Sequence, residues 1–172
     1  MADEVKVYLI TNEEINMAMQ GGMSLNALEA LHFARLLDSL ESDVKRIYLD
    51  SPDVLQHKFG VRVGLFSKKT VAAFGAKSKQ EGAIRMISEH KADEKYPVVS
   101  GSSIISKVTR DREVDKIKAA LGINFGSGYP ADKHTVEALR LNIKTRKLEP
   151  YLRQKWNTLA NIRQLRMKEF TQ

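Results

Sequence analysis

The sequence predicts an α/β protein that forms a single domain of 172 residues. In the first 105 residues, short β-branched apolar segments predict strands, and segments of helical periodicity alternate with them. Residues 106–172 predict helices joined by loops. Strands that alternate with helices and are followed by helices alone indicate an α/β part (1–105) and a mainly helical C-terminal portion (106–172).

The first 45 residues predict one strand and two helices. Residues 5–10 alternate and are rich in β-branched side chains, which predicts a strand. Thr11 is followed by early acidic residues, as expected of the N-cap of a helix. Leucines and alanines at helical spacing predict a second helix over 25–41, and Ser24 is its expected N-cap.

The middle of the chain predicts two further strands. Residues 46–50 form a short apolar segment that ends in a carboxylate, and Pro52 prevents the strand from continuing. Residues 84–88 predict the other strand. Between them, residues 54–82 are ambiguous, because their apolar spacing fits both a strand and a helix.

The remaining predicted elements are helices. A charged helix is expected over 102–121, and Gly122 ends it. The glycine-rich residues 126–130 predict a loop. Two more helices are predicted over 132–146 and 150–170, which completes the helical portion.

Composition excludes several classes of protein and site. The sequence has no cysteine, which excludes disulfides, thiol catalysis and cysteine-bound metal clusters. No window approaches the ~18 apolar residues of a membrane span, and the first residues do not resemble a secretory signal. We therefore expect a soluble, cytoplasmic protein with no membrane partner.

Positive charge is concentrated in one part of the chain. The net formal charge is +7, of which residues 1–105 contribute −1 and residues 106–172 contribute +8. A one-sided basic region is expected of a protein that binds a polyphosphate such as nucleic acid. A solvated helical surface would explain the same charge equally well.

Two acidic residues stand out by their positions next to predicted strands. Asp50 ends one strand and Asp93 follows the next, so neighbouring strands would bring both carboxylates to one edge of the sheet. Clustered carboxylates are the oxygen-rich ligands that Mg²⁺ or Mn²⁺ prefers. A turn or capping role is the alternative for any single aspartate, and Asp53, after Pro52, is interpreted as a turn residue. His90 fits either a supporting role near Asp93 or a structural one.

The most distinctive segment, residues 90–112, reads HKADEKYPVVSGSSIISKVTRDR. It resembles the signature of type 2 ribonuclease H (ribonuclease HII) of the archaeal kind, in which HKAD precedes a PVVSAASILAKVTRDR helix. The GSGYP loop at 126–130, the strand-and-aspartate segment at 47–54 and the helix around 153–158 resemble the same family in the same order. The resemblance implies a ribonuclease H-like mixed sheet with flanking helices.

Two features of that family are absent from the sequence. These are a strand that carries an Asp-Glu dyad followed by Gly-Arg-Gly, and a D-S-K-K segment. Asp3-Glu4 precedes the predicted strand 5–10 and is interpreted as a solvated N-terminus. The resemblance therefore implies that the first strands of the sheet are missing. It also implies that the chain carries two of the family's four metal-binding carboxylates, Asp50 and Asp93.

The resemblance also implies roles for the matched residues. Asp50 and Asp93 would be catalytic and would hold Mg²⁺ or Mn²⁺ beside the scissile phosphate. Tyr129 would stack its ring on a deoxyribose at an RNA-to-DNA junction. Residues near the start of the predicted helix 102–121 would contact backbone phosphate. These residues are Ser100, Ser102, Ser103 and Lys107, although helix capping explains Ser102 and Ser103 equally well. Arg110 would contact backbone phosphate or solvate the helix.

The predicted function is metal-dependent endonucleolytic cleavage of RNA in RNA/DNA hybrids, with the hybrid duplex as partner. The alternative is a non-catalytic truncated or split half of such an enzyme, which binds nucleic acid or needs an N-terminal fragment in trans. Self-association through an exposed sheet edge is a related expectation. A structural or interaction protein on a nuclease scaffold is the third hypothesis.

Overall fold

The computed structural model describes residues 4–41, 43–69, 71–73, 83–143, 145–157, 159–162 and 164. These form two compact units, one of Met1–Leu9 with Gly22–Ser106 and the other of Ile10–Gly21 with Lys107–Gln172. The strands are β1 (Arg46–Asp50), β2 (Val71–Ala73) and β3 (Ile84–Glu89). The helices are α1 (Asn12–Gln20), α2 (Leu25–Ser39), α3 (Gln56–Phe66), α4 (Ala92–Lys95), α5 (Pro97–Leu121) and α6 (Lys133–Asn142), and a 3₁₀ turn covers Glu149–Tyr151.

The first unit contains a parallel sheet in the order β1-β3-β2. β1 pairs with β3 from Arg46 opposite Arg85 to Asp50 opposite Glu89. Because parallel strands run in the same direction, the carboxyl ends of β1 and β3 lie at one edge of the sheet. The predicted α/β class is confirmed. The strands that the structure describes pair only in parallel, whereas a mixed sheet was expected.

The core of the first unit lies between the sheet and the helices α2 and α3. Its buried residues come from both layers: Ala30, Ala34 and Leu37 of α2, Phe59 and Val63 of α3, and Leu49, Ile84 and Met86 of the strands. Helix α3 approaches β3 closely at Gly60, where an added Cβ would lie 3.0 Å from Ser88 Cβ. The residues 54–82 that were ambiguous therefore contain α3 and β2.

The strand predicted over 5–10 is absent from the structure. The segment has no regular secondary structure, and Val5, Val7 and Leu9 are about half exposed. A strand needs a neighbour for its backbone hydrogen bonds, and alternation in the sequence does not provide one. Tyr8 instead stacks its ring on His32 of α2, with ring centroids 4.4 Å apart.

Local capping signals identified the first two helices well. Thr11 caps α1 through a capping box with Glu14, and the Ser24 hydroxyl accepts from the Ala27 N–H at the start of α2. The predicted start of the long helix at 102 is wrong, because α5 begins at Pro97. Proline suits the first position of a helix, where its missing N–H has no intrahelical partner in any case.

The second unit is helical and has a core of its own. Leu139, Leu148 and Ile162 are buried in it, with Phe125 and Trp156 packed around them. The predicted helix 132–146 is α6, which is shorter. The predicted helix 150–170 begins instead with the 3₁₀ turn, residues 157 and 159–162 are helical, and 165–170 lie outside the described residues.

Helix α1 belongs to this second unit although it lies far away in sequence. Asn16 holds it there, because its Nδ2 donates to Leu152 O at 2.9 Å and its Oδ1 accepts from Gln154 N at 2.9 Å. Glu13 and Glu14 of α1 reduce the net charge of the unit from +8 to +6. Within the described ranges, no helix combines the length and the apolar character that crossing a bilayer requires.

Candidate functional site

The carboxylate of Asp50 contacts the segment that carries Asp93. Asp50 is the last residue of β1 and is exposed, and its Oδ1 accepts a hydrogen bond from the backbone N–H of Ala92 at 3.1 Å. Ala92 is the residue before Asp93, and consecutive Cα atoms lie only about 3.8 Å apart. The Asp50 carboxylate therefore contacts the segment that carries Asp93, and the approach of the two carboxylates to each other stays a prediction.

The turn between β3 and α4 makes this arrangement possible. Lys91 has a left-handed backbone, with φ of 55°, which turns the chain sharply after β3. The turn presents the N–H of the buried Ala92 to Asp50. A carboxylate at the start of a helix is favoured, because the first N–H groups have no intrahelical partner.

Ser100 of α5 holds the backbone of the segment around Asp93. The Ser100 hydroxyl donates to the backbone carbonyl of Asp93 at 2.9 Å. The Ser102 hydroxyl donates to Val98 O, one helical turn back, at 2.9 Å. Both serines lie inside α5, Ser100 as its fourth residue and Ser102 as its sixth, so Ser102 does not cap the helix. Their phosphate contacts stay a prediction, as do those of Ser103 and the exposed Lys107.

The two carboxylates suit a hard divalent cation. Mg²⁺ is usually bound through one or two carboxylates, with water and substrate phosphate completing six oxygen ligands. One oxygen of Asp50 accepts from the Ala92 N–H, and the second oxygen, for which the described residues show no hydrogen bond, would take such a role. Among the described residues, no group of three histidine or acidic side chains is placed to hold a metal ion. The pair fits Mg²⁺ or Mn²⁺ on donor chemistry, and the metal site stays a prediction.

The structure describes one residue of the Asp3-Glu4 pair. Glu4 forms an ion pair with Lys6 at 2.9 Å, and its side chain is 30% exposed. Asp3 lies outside the described residues.

Tyr129 lies on a loop that two glycines and one aspartate shape. Gly126 and Gly128 have φ of +67° and +75°, a backbone that side chains other than glycine rarely adopt. The Asp132 carboxylate accepts from the Ser127 N–H at 2.6 Å and from its hydroxyl at 2.7 Å. The loop holds Tyr129 with half of its side chain exposed.

Asp132 and Thr135 hold the loop that carries Tyr129, and the sequence analysis did not identify either of them. Thr135 is buried, accepts from the Gly128 N–H at 2.9 Å and donates to Phe125 O at 2.8 Å. Asp132 also caps α6 through the His134 N–H. The signal that could have identified Asp132 is an aspartate in a capping position two residues after the glycine-rich loop. The hydrogen bonds from Ser127 lower the pKa of Asp132 to about 2.

Arg110 contacts Tyr129 within the second unit. Its guanidinium carbon lies 3.8 Å from the centre of the Tyr129 ring, and its NH1 pairs with Asp111 at 3.0 Å. This is the geometry of a cation–π contact. Arg110 therefore covers one face of the ring, and only the other face is left for a sugar. The nucleic-acid roles of both residues stay predictions.

Comparison with known proteins agrees with the predicted resemblance. A family model described as ribonuclease HII matches residues 2–159. Ribonuclease HII from Pyrococcus horikoshii is 40% identical over 163 residues, which cover 93% of this chain and 66% of the relative. The Nanoarchaeum equitans relative is 38% identical over 152 residues, with 88% and 68% covered. The Archaeoglobus fulgidus relative is 30% identical over 176 residues, with 99% and 77% covered.

A solved structure shows the same fold. The crystal structure of the ribonuclease H2 from Pyrococcus horikoshii OT3 matches with a TM-score of 0.71 and 38% identity, over 90% of this chain and 66% of that one. The chain thus spans about two thirds of the length of these Pyrococcus proteins. The match confirms a ribonuclease H-like α/β fold. On the family model and on relatives of this similarity, the chain belongs to the ribonuclease HII family.

Proposed function

We propose that the protein cleaves the RNA strand of RNA/DNA hybrids endonucleolytically, with Mg²⁺ or Mn²⁺ bound at Asp50 and Asp93. The observation that carries the proposal is the hydrogen bond from the Ala92 N–H to Asp50 Oδ1. It brings the Asp50 carboxylate to the segment that carries Asp93, which lies 43 positions further along the chain, beyond the edge where β1 and β3 both end.

The chain's own residues supply a negatively charged pair of candidate ligands. Asp50 is oriented by the Ala92 N–H, and Asp93 is held through its backbone by Ser100. When bound, the metal would activate water and stabilise the leaving oxygen of a phosphodiester. Ligands that are already fixed before binding lower the cost of reaching that geometry.

Nucleic-acid binding is proposed for the second unit. Its net charge of +6 favours a polyphosphate partner. Lys107 supports this role because its side chain is exposed on α5. Tyr129 would pack its uncovered face on a sugar, while Arg110 keeps the ring in place.

We infer a second polypeptide strand as a partner of the free edge of β1. In the described sheet β1 is an outer strand, and its neighbour is β3. An open edge is a template for another strand, from a complementing fragment or from a second copy of the chain. The cytoplasmic location expected from the sequence stays a prediction.

Cleavage of a hybrid with a labelled RNA strand, under single-turnover conditions, tests the proposed function. Asp50→Asn and Asp93→Asn are each expected to lower the Mg²⁺- or Mn²⁺-dependent rate by about 100-fold or more, because each removes a charged ligand. Asp43→Asn is the matched control, since that carboxylate is 81% exposed and pairs with Lys45. It should leave the rate unchanged.

The rate of the unmodified chain is a separate readout. The resemblance implies four metal-binding carboxylates, and the sequence supplies two of them, so the 172 residues alone should cleave far more slowly than a relative with all four. An added fragment with an Asp-Glu strand should raise the rate. A slow rate that neither substitution changes would contradict the enzyme and support the non-catalytic alternative.

A further inference from the structure

Asp53 connects three elements around the candidate site. It lies between β1 and α3, and its Oδ1 accepts from Asn26 Nδ2 of α2 at 2.6 Å. Its Oδ2 accepts from the Arg62 guanidinium of α3 at 2.8 Å. The Asp53 side chain is only 13% exposed, so the carboxylate is largely removed from solvent and both of its oxygens have protein partners. The interpretation of Asp53 as a turn residue does not account for two side-chain partners on other elements.

The backbone of Asp53 is bound as well. His90 Nε2 lies 2.6 Å from the Asp53 carbonyl oxygen. Since a carbonyl oxygen can only accept, Nε2 carries the proton and donates. The backbone N–H of His90 in turn donates to Gln56 Oε1 at 3.0 Å. The turn that follows β3 is therefore tied at two points to the chain that follows β1.

These bonds are made by residues that lie close in sequence to the two candidate ligands. Asp53 comes three residues after Asp50, and His90 comes three residues before Asp93. The Asp50–Ala92 hydrogen bond joins the same two segments and is part-buried, with Ala92 buried and Asp50 exposed. A single hydrogen bond of this kind contributes only modestly to stability, so its geometry depends on how firmly the two flanking segments are held.

We propose that Asp53 is a positioning residue, which holds the segments of Asp50 and Asp93 together through Asn26, Arg62 and His90. The inference rests on the proposed function, because it gives this network a role in preparing the metal site. Groups that orient metal ligands typically change metal affinity by about 10–100-fold when they are removed.

Amide hydrogen exchange in Asp53→Ala tests the proposal without metal. The Ala92 N–H, which Asp50 protects, should exchange about 10-fold faster or more, because a hydrogen bond to a charged group is loosened. The Val63 N–H, in the buried part of α3, reports the stability of the unit as a whole. The proposal expects a larger change at Ala92 than at Val63.

Asp38→Ala is the matched control. This carboxylate lies on the same helix α2 and accepts from Ser67 Oγ at 2.6 Å and from Lys68 N at 3.0 Å. It is 12 residues from Asn26, which is about 18 Å along the helix axis. The control removes a carboxylate of similar connectivity, and it should leave the Ala92-to-Val63 exchange ratio as in the unmodified chain.

Binding of Mn²⁺ alone gives the second readout. Asp53→Ala should weaken it by about 10–100-fold, and Asp38→Ala should not. Equal acceleration at Ala92 and Val63, or an unchanged Ala92 rate, would overturn the positioning role. If the unmodified chain bound no Mn²⁺, the proposed metal site would be wrong, and Ala92 exchange would still decide whether Asp53 positions the segment.

Discussion

Asp132 shows how a single side chain shapes the loop that presents Tyr129. Its carboxylate accepts from the N–H and the hydroxyl of Ser127 and from the His134 N–H. Each donor favours the charged form, which explains why the pKa of Asp132 falls from 3.8 to about 2. The loop conformation and the ionisation of Asp132 are therefore linked.

This linkage predicts a loss of stability in acid. Because the folded-state pKa of Asp132 lies below its unfolded value, the unfolded chain binds the proton more readily. The stabilisation is complete above about pH 4 and is lost as the pH falls towards 2. An NMR titration of the Asp132 carboxyl should give a midpoint near 2.

Ser127→Ala supplies the comparison for this titration. It removes the hydroxyl bond and keeps the Ser127 N–H, so the Asp132 midpoint should rise part of the way towards 3.8. A midpoint near 3.8 in the unmodified chain would show that the Ser127 bonds do not form in solution.

At the scale of elements, α5 carries a glycine that the helix does not need. Gly101 lies inside Pro97–Leu121, and no heavy atom lies within 4 Å of an added Cβ. Gly101→Ala should raise the free energy of unfolding by about 0.5–1 kcal/mol, because alanine loses less backbone entropy in a helix. Urea unfolding followed by circular dichroism measures the change.

Gly126→Ala is the opposite case and serves as the control. At φ of +67°, an added Cβ would lie 2.5 Å from Asp132 Oδ2 and 2.9 Å from His134 Cβ. The same substitution should therefore destabilise the protein by about 1–3 kcal/mol. Equal effects at the two positions would mean that local backbone geometry does not decide the outcome.

An element could be predicted from the sequence where the residues that determine it are neighbours in the chain. Strand β1 covers 46–50 as predicted, and the Thr11 and Ser24 caps depend on neighbours three residues away. The segment 5–10 has the composition of a strand but no strand beside it, and pairing is a long-range property. The start of α5 was missed because serines at 102 and 103 resemble caps, whereas Pro97 already starts the helix.

For the whole molecule, the basic character of the second unit predicts salt-dependent binding of a hybrid duplex. With about five phosphate contacts, a plot of log binding constant against log salt concentration should have a slope steeper than about −3. A salt titration by fluorescence anisotropy measures it. A flat response would show that these lysines and arginines only solvate the surface.

Lys107→Gln refines this test, because the side chain is exposed on α5. Loss of one phosphate contact should make the slope less steep by about 1. Lys45→Gln is the matched control, since its ammonium lies in the first unit, is 78% exposed and pairs with Asp43. It should leave the slope unchanged.

The sequence by itself determined the chemistry that is available: two acids beside strands, a glycine-rich loop with a tyrosine, and a basic C-terminal portion. These properties lie in residue types and short spacings, so they can be predicted before any folding. Only the tertiary structure decided that the Asp50 carboxylate meets the Ala92 N–H, that Arg110 covers Tyr129, and that acidic α1 joins the basic unit. Each of these contacts joins residues far apart in the chain, and packing, which no local spacing records, brings them together.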